Sequence, residues 1–286
     1  MISEAVVARL IESQFPEWKH LPIRQVDRGG WDNRMFHLGD QMLVRLPSGG
    51  QYAAQVEKEV LWLPILAPHL PLAVPVPLAV GNPGFDYPYK WSVYEWIDAE
   101  IASRRKVDCM SDFAKRLAQF ISALQQVDPS GGPPAGVHNF YRGGSLRHYN
   151  REAVAAICRL EDKIDTDAAR VVWSEALASQ WQGAPVWVHG DISSGNLLVK
   201  EGALHAVIDF GMLGVGDPAC DLVIAWTFFE GEARDAFRDH LNLDRDTWAR
   251  ARGWGLWKAL IVAAGLTDSN AVESENPLPL IAKYLF

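Results

Sequence analysis

Apolar positions in the first hundred residues recur in short alternating runs. Met35-Phe36-His37-Leu38 and Met42-Leu43-Val44-Arg45-Leu46 flank Gly39-Asp40, which predicts two strands joined by a tight turn. Arg24-Gln25-Val26-Asp27 leads into the glycine pair Gly29-Gly30, and Leu78-Ala79-Val80 and Trp91-Ser92-Val93-Tyr94 read as further strands. Between them, Val56 and Val60 followed by Leu61, Leu63 and Leu66 predict a helix over residues 50–67. The segment from Pro71 to Pro77 cannot be helical, because proline lacks the N–H and restricts the residue before it, so it should run extended.

The period changes after about residue 98. From Asp108 to Val127, Phe113, Leu117, Phe120, Ile121, Leu124 and Val127 recur at steps of three and four, one face of a buried helix. Gly131-Gly132-Pro133-Pro134 ends it. Residues Asn150 to Ile164, Ala168 to Trp181 and 218–266 also read as helical, and short strands interrupt over 186–210. The pattern therefore predicts an α+β chain of two lobes, strand-rich over residues 1–97 and helix-rich over 98–286, joined through Glu95-Trp96-Ile97-Asp98. Clefts between such lobes are common ligand sites.

Composition narrows the functional classes. With 286 residues, 49% hydrophobic and 22% charged, the chain has ample length for a core without staples. Its net charge of −8 argues against nucleic-acid binding, which needs a basic surface to release counterions. The three cysteines Cys109, Cys158 and Cys220 are widely spaced and suggest neither disulfides nor zinc, in keeping with a reducing, cytoplasmic setting. The N-terminal run from Met1 to Leu10 reads as an amphipathic helix rather than a signal peptide, and no apolar run is long enough to span a membrane.

The chemistry concentrates between residues 189 and 209. His189-Gly190-Asp191 follows the apolar run Pro185-Val186-Trp187-Val188, Asn196 comes five residues after Asp191, and Asp209 opens Asp209-Phe210-Gly211 at the end of Ala206-Val207-Ile208. Two carboxylates and one amide at strand ends suit phosphoryl transfer. A nucleoside triphosphate needs Mg²⁺ to bridge its phosphates, and Mg²⁺ takes hard oxygen ligands and few protein carboxylates, which Asp209 and Asn196 can supply. A separate carboxylate must orient the attacking hydroxyl and accept its proton, and Asp191 fits.

This constellation, with Gly216-Asp217-Pro218 and Asp221 following, closely resembles that of the aminoglycoside phosphotransferase family, which has the protein-kinase-like fold and is related to macrolide, choline, homoserine and fructosamine kinases. The resemblance runs from Gly29 onward and is strongest from Val186 to Trp226. It implies a nucleotide-binding N-terminal lobe, a catalytic and acceptor-binding C-terminal lobe, and ATP or GTP as donor with Mg²⁺. It implies that a cation on strand three pairs with a helix carboxylate; here the cation is Arg45 where lysine is commoner, and the partner is Glu59 or, as the alternative, Glu57. The loop Arg28-Gly29-Gly30-Trp31-Asp32-Asn33, with Gly30 and Asn33, should cover the phosphates, and backbone groups of Tyr94 and Trp96 should meet the base edge. Asp221 should hold the backbone of the catalytic loop, Asp217 should shape the turn before its helix, and His189 should be scaffold.

The acceptor is less legible. The acidic runs Glu161, Asp162, Asp165 and Asp167, then Glu230 and Glu232, then Asp268, Glu273 and Glu275 could attract a polycation, which points first to an aminoglycoside-type antibiotic. Twelve tryptophans, including Trp248, Trp254 and Trp257, suit a less charged acceptor such as a macrolide, and choline, homoserine or a sugar stay open. A nucleotide-binding pseudokinase is the rival class, favoured only by Arg45. The expected partner is thus a small-molecule hydroxyl acceptor, with no nucleic acid and no membrane, for a monomer or homodimer.

Overall fold

The computed structural model describes residues 2–26, 32–267 and 277–285. The chain forms two compact units, one of Met1–Ala99 with Ala206–Gly211, the other of Glu100–His205 with Met212–Phe286.

The first unit is built on a five-stranded antiparallel sheet of β1 (Ile23–Gln25), β2 (Asn33–Leu38), β3 (Met42–Pro47), β4 (Pro77–Gly81) and β5 (Trp91–Glu95), in the order β1-β2-β3-β5-β4. Alternation sends Phe36, Leu38, Val44, Leu46 and Val93 to one face, where Val7, Leu10 and Ile11 of α1 (Glu4–Gln14) complete a closed apolar core. The same alternation turns Arg45 to the other face, where α2 (Gly50–Leu66) lies. The inward face of α2 is mixed: Tyr52, Val56, Leu63 and Leu66 are buried, and so are Gln55, Lys58 and Glu59. Leu61, expected to be inward from its apolar character, is 58% exposed, because the helix turns its polar residues towards Arg45 instead. The proline-rich segment is extended as expected; Ala73 bridges Ala206, and the Val207 N–H donates to the Ala73 carbonyl at 3.0 Å, so residues 206–211 fold with this unit.

The second unit is mainly helical. α3 (Met110–Gln126) packs on α7 (Gly231–Leu241), and α8 (Arg245–Ala263) packs against α4 (Asn150–Arg159), α5 (Thr166–Ala178) and α9 (Pro277–Leu285). α6 (Ile224–Thr227) is a single turn. Small strand pairs support it: β6 (Glu100–Ile101) with β8 (Leu197–Lys200), and β7 (Val186–Val188) with β10 (Gly214–Gly216). β9 (Ala203–Val207) follows β8 and leads into the 206–211 segment. α8 is buried nearly all round, through Trp248, Trp254, Trp257, Leu256 and Leu260 among others. Gly253 lets it approach α5, since a Cβ there would sit 2.4 Å from that of Ala176. α4 stops at Arg159, short of the expected Ile164, and α5 begins at Thr166, because Asp165 caps it by accepting the Ala168 N–H at 2.9 Å. α5 also ends at Ala178, so Trp181 lies in the loop beyond, its indole donating to the Ala184 carbonyl. Among the described residues no helix is long and apolar enough to cross a membrane.

One buried ion pair locks α8 to the turn after β10. Asp217 accepts from Arg250 Nε at 2.7 Å and Nη2 at 3.3 Å, and from the Ala219 N–H at 3.1 Å; Arg250 also donates to Thr247 and Ser179. Both side chains are under one-tenth exposed. Asp217→Ala would strand a buried guanidinium, with an expected loss of about 3–5 kcal/mol, whereas replacing both partners with apolar residues should cost less. Urea unfolding of the single variant and of the double variant Asp217→Leu/Arg250→Met checks this order.

Candidate active site

Residues of the expected site fall into two clusters, one in each unit. In the second unit, β7 ends at Val188 and delivers His189-Gly190-Asp191. The Asp221 carboxylate accepts the His189 N–H on Oδ2 and the Gly190 N–H on Oδ1, both at 2.7 Å, so one side chain fixes the entry to the loop. Burial pushes the Asp221 carboxyl above its ordinary range, opposed by the charge of His189 and by these two N–H donors. Gly190 has φ +84°, and a Cβ there would lie 2.5 Å from the Met212 carbonyl oxygen, so the sharp turn admits only glycine. His189 is fully buried, and its Nδ1 accepts the Asp191 N–H at 3.2 Å. Beyond the turn, Asn196 Nδ2 donates to the Asp191 backbone carbonyl at 2.9 Å and to its Oδ2 at 2.8 Å. The loop therefore presents a carboxylate and a carboxamide as one hydrogen-bonded pair, both half-buried.

In the first unit, Arg45 is the centre. Its Nη1 donates to Glu59 Oε1 at 2.7 Å and Oε2 at 2.8 Å, and its Nη2 to Asp209 Oδ1 at 2.6 Å. Asn33, with its carboxamide oxygen turned to the guanidinium, accepts from Nη2 at 2.8 Å and Nε at 3.0 Å. Tyr94 donates its hydroxyl to Glu59 Oε2 at 2.5 Å. Burial would lower the Arg45 pKa, but the charges of Glu59 and then Asp209 outweigh it and hold it well above the ordinary guanidinium value. Burial, followed by the Glu59 charge, raises the Tyr94 phenol. Asp209 sits at φ +64°, a left-handed conformation costly for a residue with a side chain, and its carboxylate is 39% exposed.

Glu59, not Glu57, is thus the helix carboxylate that meets Arg45; Glu57 is exposed and pairs with Lys90. Gly30 and the rest of the glycine loop lie outside the described residues, apart from Asp32 and Asn33. Asn33 is buried against Arg45 at the start of β2, and so it is placed to hold the cation. Tyr94 pairs with Leu43 on one side and Pro77 on the other, inside the sheet. The Trp96 N–H donates to the Gln41 carbonyl at 2.7 Å, which commits that donor, and its ring meets His37. Of the two residues expected at the base edge, Tyr94 thus lies within β5, and Trp96 follows that strand with its N–H bonded to Gln41.

The acidic runs are largely engaged or outward. Asp165 is a helix cap, and Glu161, Asp162, Asp167 and Glu232 are exposed. Glu230 receives Arg104 at 2.8 Å and Lys283 at 2.6 Å, and these hydrogen bonds pull its carboxyl down to about 2. Asp268, Glu273 and Glu275 lie outside the described residues. Sequence reasoning passed over Lys58, which stands between two glutamates and looks solvated. It is 8% exposed, and burial lowers its pKa to about 8 against the opposing charges of Glu59 and Asp209.

Residues 23–254 match the profile of the phosphotransferase enzyme family, so the chain belongs to that family and is an enzyme of the small-molecule kinase type. Among solved structures, it is similar to a GDP and kanamycin complex of APH(2")-IIia, with 17% identity, 97% of each chain covered and a TM-score of 0.73. It is similar to ADP-bound aminoglycoside phosphotransferase APH(2'')-Ib, with 16% identity, 99% of each chain covered and a TM-score of 0.62. It is also similar to macrolide 2'-phosphotransferase MphH from Brachybacterium faecium, with 20% identity, 98% of each chain covered and a TM-score of 0.64. At these identities the structures establish a shared fold, the protein-kinase-like one with an antiparallel-sheet N-lobe and a helical C-lobe. No curated protein matches the chain.

The Asp221 bracket makes its own prediction. Asp221→Asn keeps the shape but sets an amide NH₂ against one of the two backbone donors. It is expected to lose about 1–3 kcal/mol of stability, with faster amide exchange at His189 and Gly190. Chemical denaturation and hydrogen exchange measure both.

Proposed function

We propose that this chain transfers the γ-phosphoryl group of ATP or GTP to a hydroxyl of a small molecule, with an aminoglycoside-type acceptor as the first reading. The observation that carries it is the Asp191–Asn196 pair on a loop braced by Asp221. Asp191 accepts the hydroxyl proton as the acceptor oxygen forms its bond to the γ-phosphorus and the bond to the leaving diphosphate breaks. The Asp191 carboxylate meets the NH₂ end of Asn196, so the amide's carbonyl oxygen is the end suited to a cation.

A carboxylate and an amide oxygen are hard donors of the kind Mg²⁺ takes, since it is held by one or two carboxylates together with substrate phosphates and water, and Asp209 and Asn196 are the residues proposed to supply them. When bound, Mg²⁺ neutralises charge on the transferring phosphoryl group. Residues 1–97 are read as the nucleotide-binding lobe and 98–286 as the catalytic and acceptor-binding lobe, with the Asp209 segment folding with the former. Support for the donor comes from similar structures whose titles name GDP, ADP and ATP.

A macrolide acceptor is the second reading. It is favoured by Glu230, which is already neutralised by Arg104 and Lys283 rather than available to a polycation.

Asp191→Ala is expected to lower turnover by at least about 10²–10³-fold while Mg²⁺-nucleotide affinity changes little. Undiminished turnover would refute the assignment. Asp209→Ala is expected to remove the Mg²⁺ dependence of nucleotide binding, read by thermal-shift titration with and without the metal. A panel of aminoglycosides, macrolides, choline, homoserine and sugars, assayed by coupled release of ADP or GDP, identifies the acceptor.

A further inference from the structure

α2 buries an amide among its inward side chains. Gln55 is 3% exposed, and its carboxamide meets two other stretches of the first unit. Its Nε2 donates to Asp32 Oδ2 at 3.3 Å, just before β2 begins. The same carboxamide rests on Gly211: a Cβ on that glycine would stand 2.7 Å from Gln55 Cδ, 2.8 Å from Nε2 and 2.9 Å from Oε1. Gly211 is not in the left-handed region, so the close approach of Gln55, not the dihedral, is what favours glycine there.

Stability does not account for the glutamine. Among the described residues its Oε1 is buried with no donor facing it, so the cost of taking an amide oxygen out of water is not recovered. An apolar side chain of similar size would fill the place without that cost. Position accounts for it better. Asp32 belongs to the loop read as covering the phosphates, and Gly211 follows Phe210 and Asp209, the residue read as holding Mg²⁺. Arg45 holds one end of that segment by charge, donating to Asp209 Oδ1 at 2.6 Å, and Gln55 holds the other end by shape. Together the two holds fix the direction of a carboxylate whose backbone sits at φ +64°.

We infer that Gln55 is a positioning residue that couples the phosphate-covering loop to the Asp209 segment, so that nucleotide and Mg²⁺ strengthen each other's binding through it. Such coupling is reciprocal: whatever the metal adds to nucleotide affinity, the nucleotide adds to metal affinity. The inference rests on the reading of the first unit as the nucleotide-binding lobe.

The test measures ATP and GTP affinity of the full chain with and without Mg²⁺, by calorimetry, and the urea unfolding midpoint of each metal-free protein. The variants are Gln55→Met, Gln55→Ala, Gly211→Ala and the double variant Gln55→Ala/Gly211→Ala. A methyl group at 211 displaces the carboxamide while the glutamine stays in the chain, so Gly211→Ala removes the contact by a second route. Gln55→Met is expected to unfold at or above the wild-type midpoint. Its ratio of nucleotide affinity with Mg²⁺ to that without is nevertheless expected to fall by about fivefold or more. Gly211→Ala and Gln55→Ala should lower the same ratio, and the double variant should lower it no further than the worse of the two. An unchanged ratio in the folded variants overturns the inference. So do losses that add in the double variant, and so does an equal loss of affinity with and without metal, which marks a purely structural role. A wild-type chain that binds neither nucleotide, or binds them without regard to Mg²⁺, refutes the proposed function itself, and this inference with it.

Discussion

Arg45 is a charge taken out of water, and much of the first unit is arranged around that fact. A buried guanidinium is tolerable only where carboxylates and acceptors surround it, because desolvation in a weakly polarisable interior costs several kcal/mol per ion. Glu59 supplies two oxygens, Asp209 one, and the Asn33 amide completes the shell. Those partners come from α2, from the segment after β9 and from β2, so satisfying one cation ties three separate stretches of chain to β3. It also explains why the inner face of α2 is polar, and why Asp209 persists in a left-handed conformation.

A second buried anion organises the other unit by a different route. Among the described residues Asp221 meets no guanidinium. It takes two backbone N–H groups of the catalytic loop, and the cost of its burial appears as a carboxyl pushed upward. Asp217, four residues earlier, does meet one, in Arg250. The two aspartates of the stretch from Gly216 to Asp221 thus anchor a helix and a loop respectively, Asp217 through Arg250 and Asp221 through the backbone of His189 and Gly190.

Several elements were legible because they depend on local order. The alternation of β2 and β3, the proline-rich extended segment and the periodic face of α3 all appear within a residue or two of where pattern reading puts them. α4 was drawn past its end at Arg159, and α5 was set late at both its start and its end, because apolar spacing registers neither the capping role of Asp165 nor the loop that holds Trp181. Within the site, spacing alone brought Asp191, Asn196 and Asp209 forward. It could not separate Glu57 from Glu59, two residues apart on one helix, nor see that Lys58 is buried.

The sequence by itself determined the class of chemistry and the elements that carry it. Hydrogen-bonding groups at fixed separations along a loop, and hydrophobic periods of two and 3.6, are short-range properties that survive without knowledge of the whole. Only the tertiary structure decided which charges are buried and with whom. The fate of Arg45 depends on Glu59 fourteen residues away and on Asp209 one hundred and sixty-four residues away. A guanidinium enclosed by two carboxylates and an amide cannot be told from an exposed one until the chain has closed around it, because the cost of burying a charge belongs to its surroundings and not to its own letter.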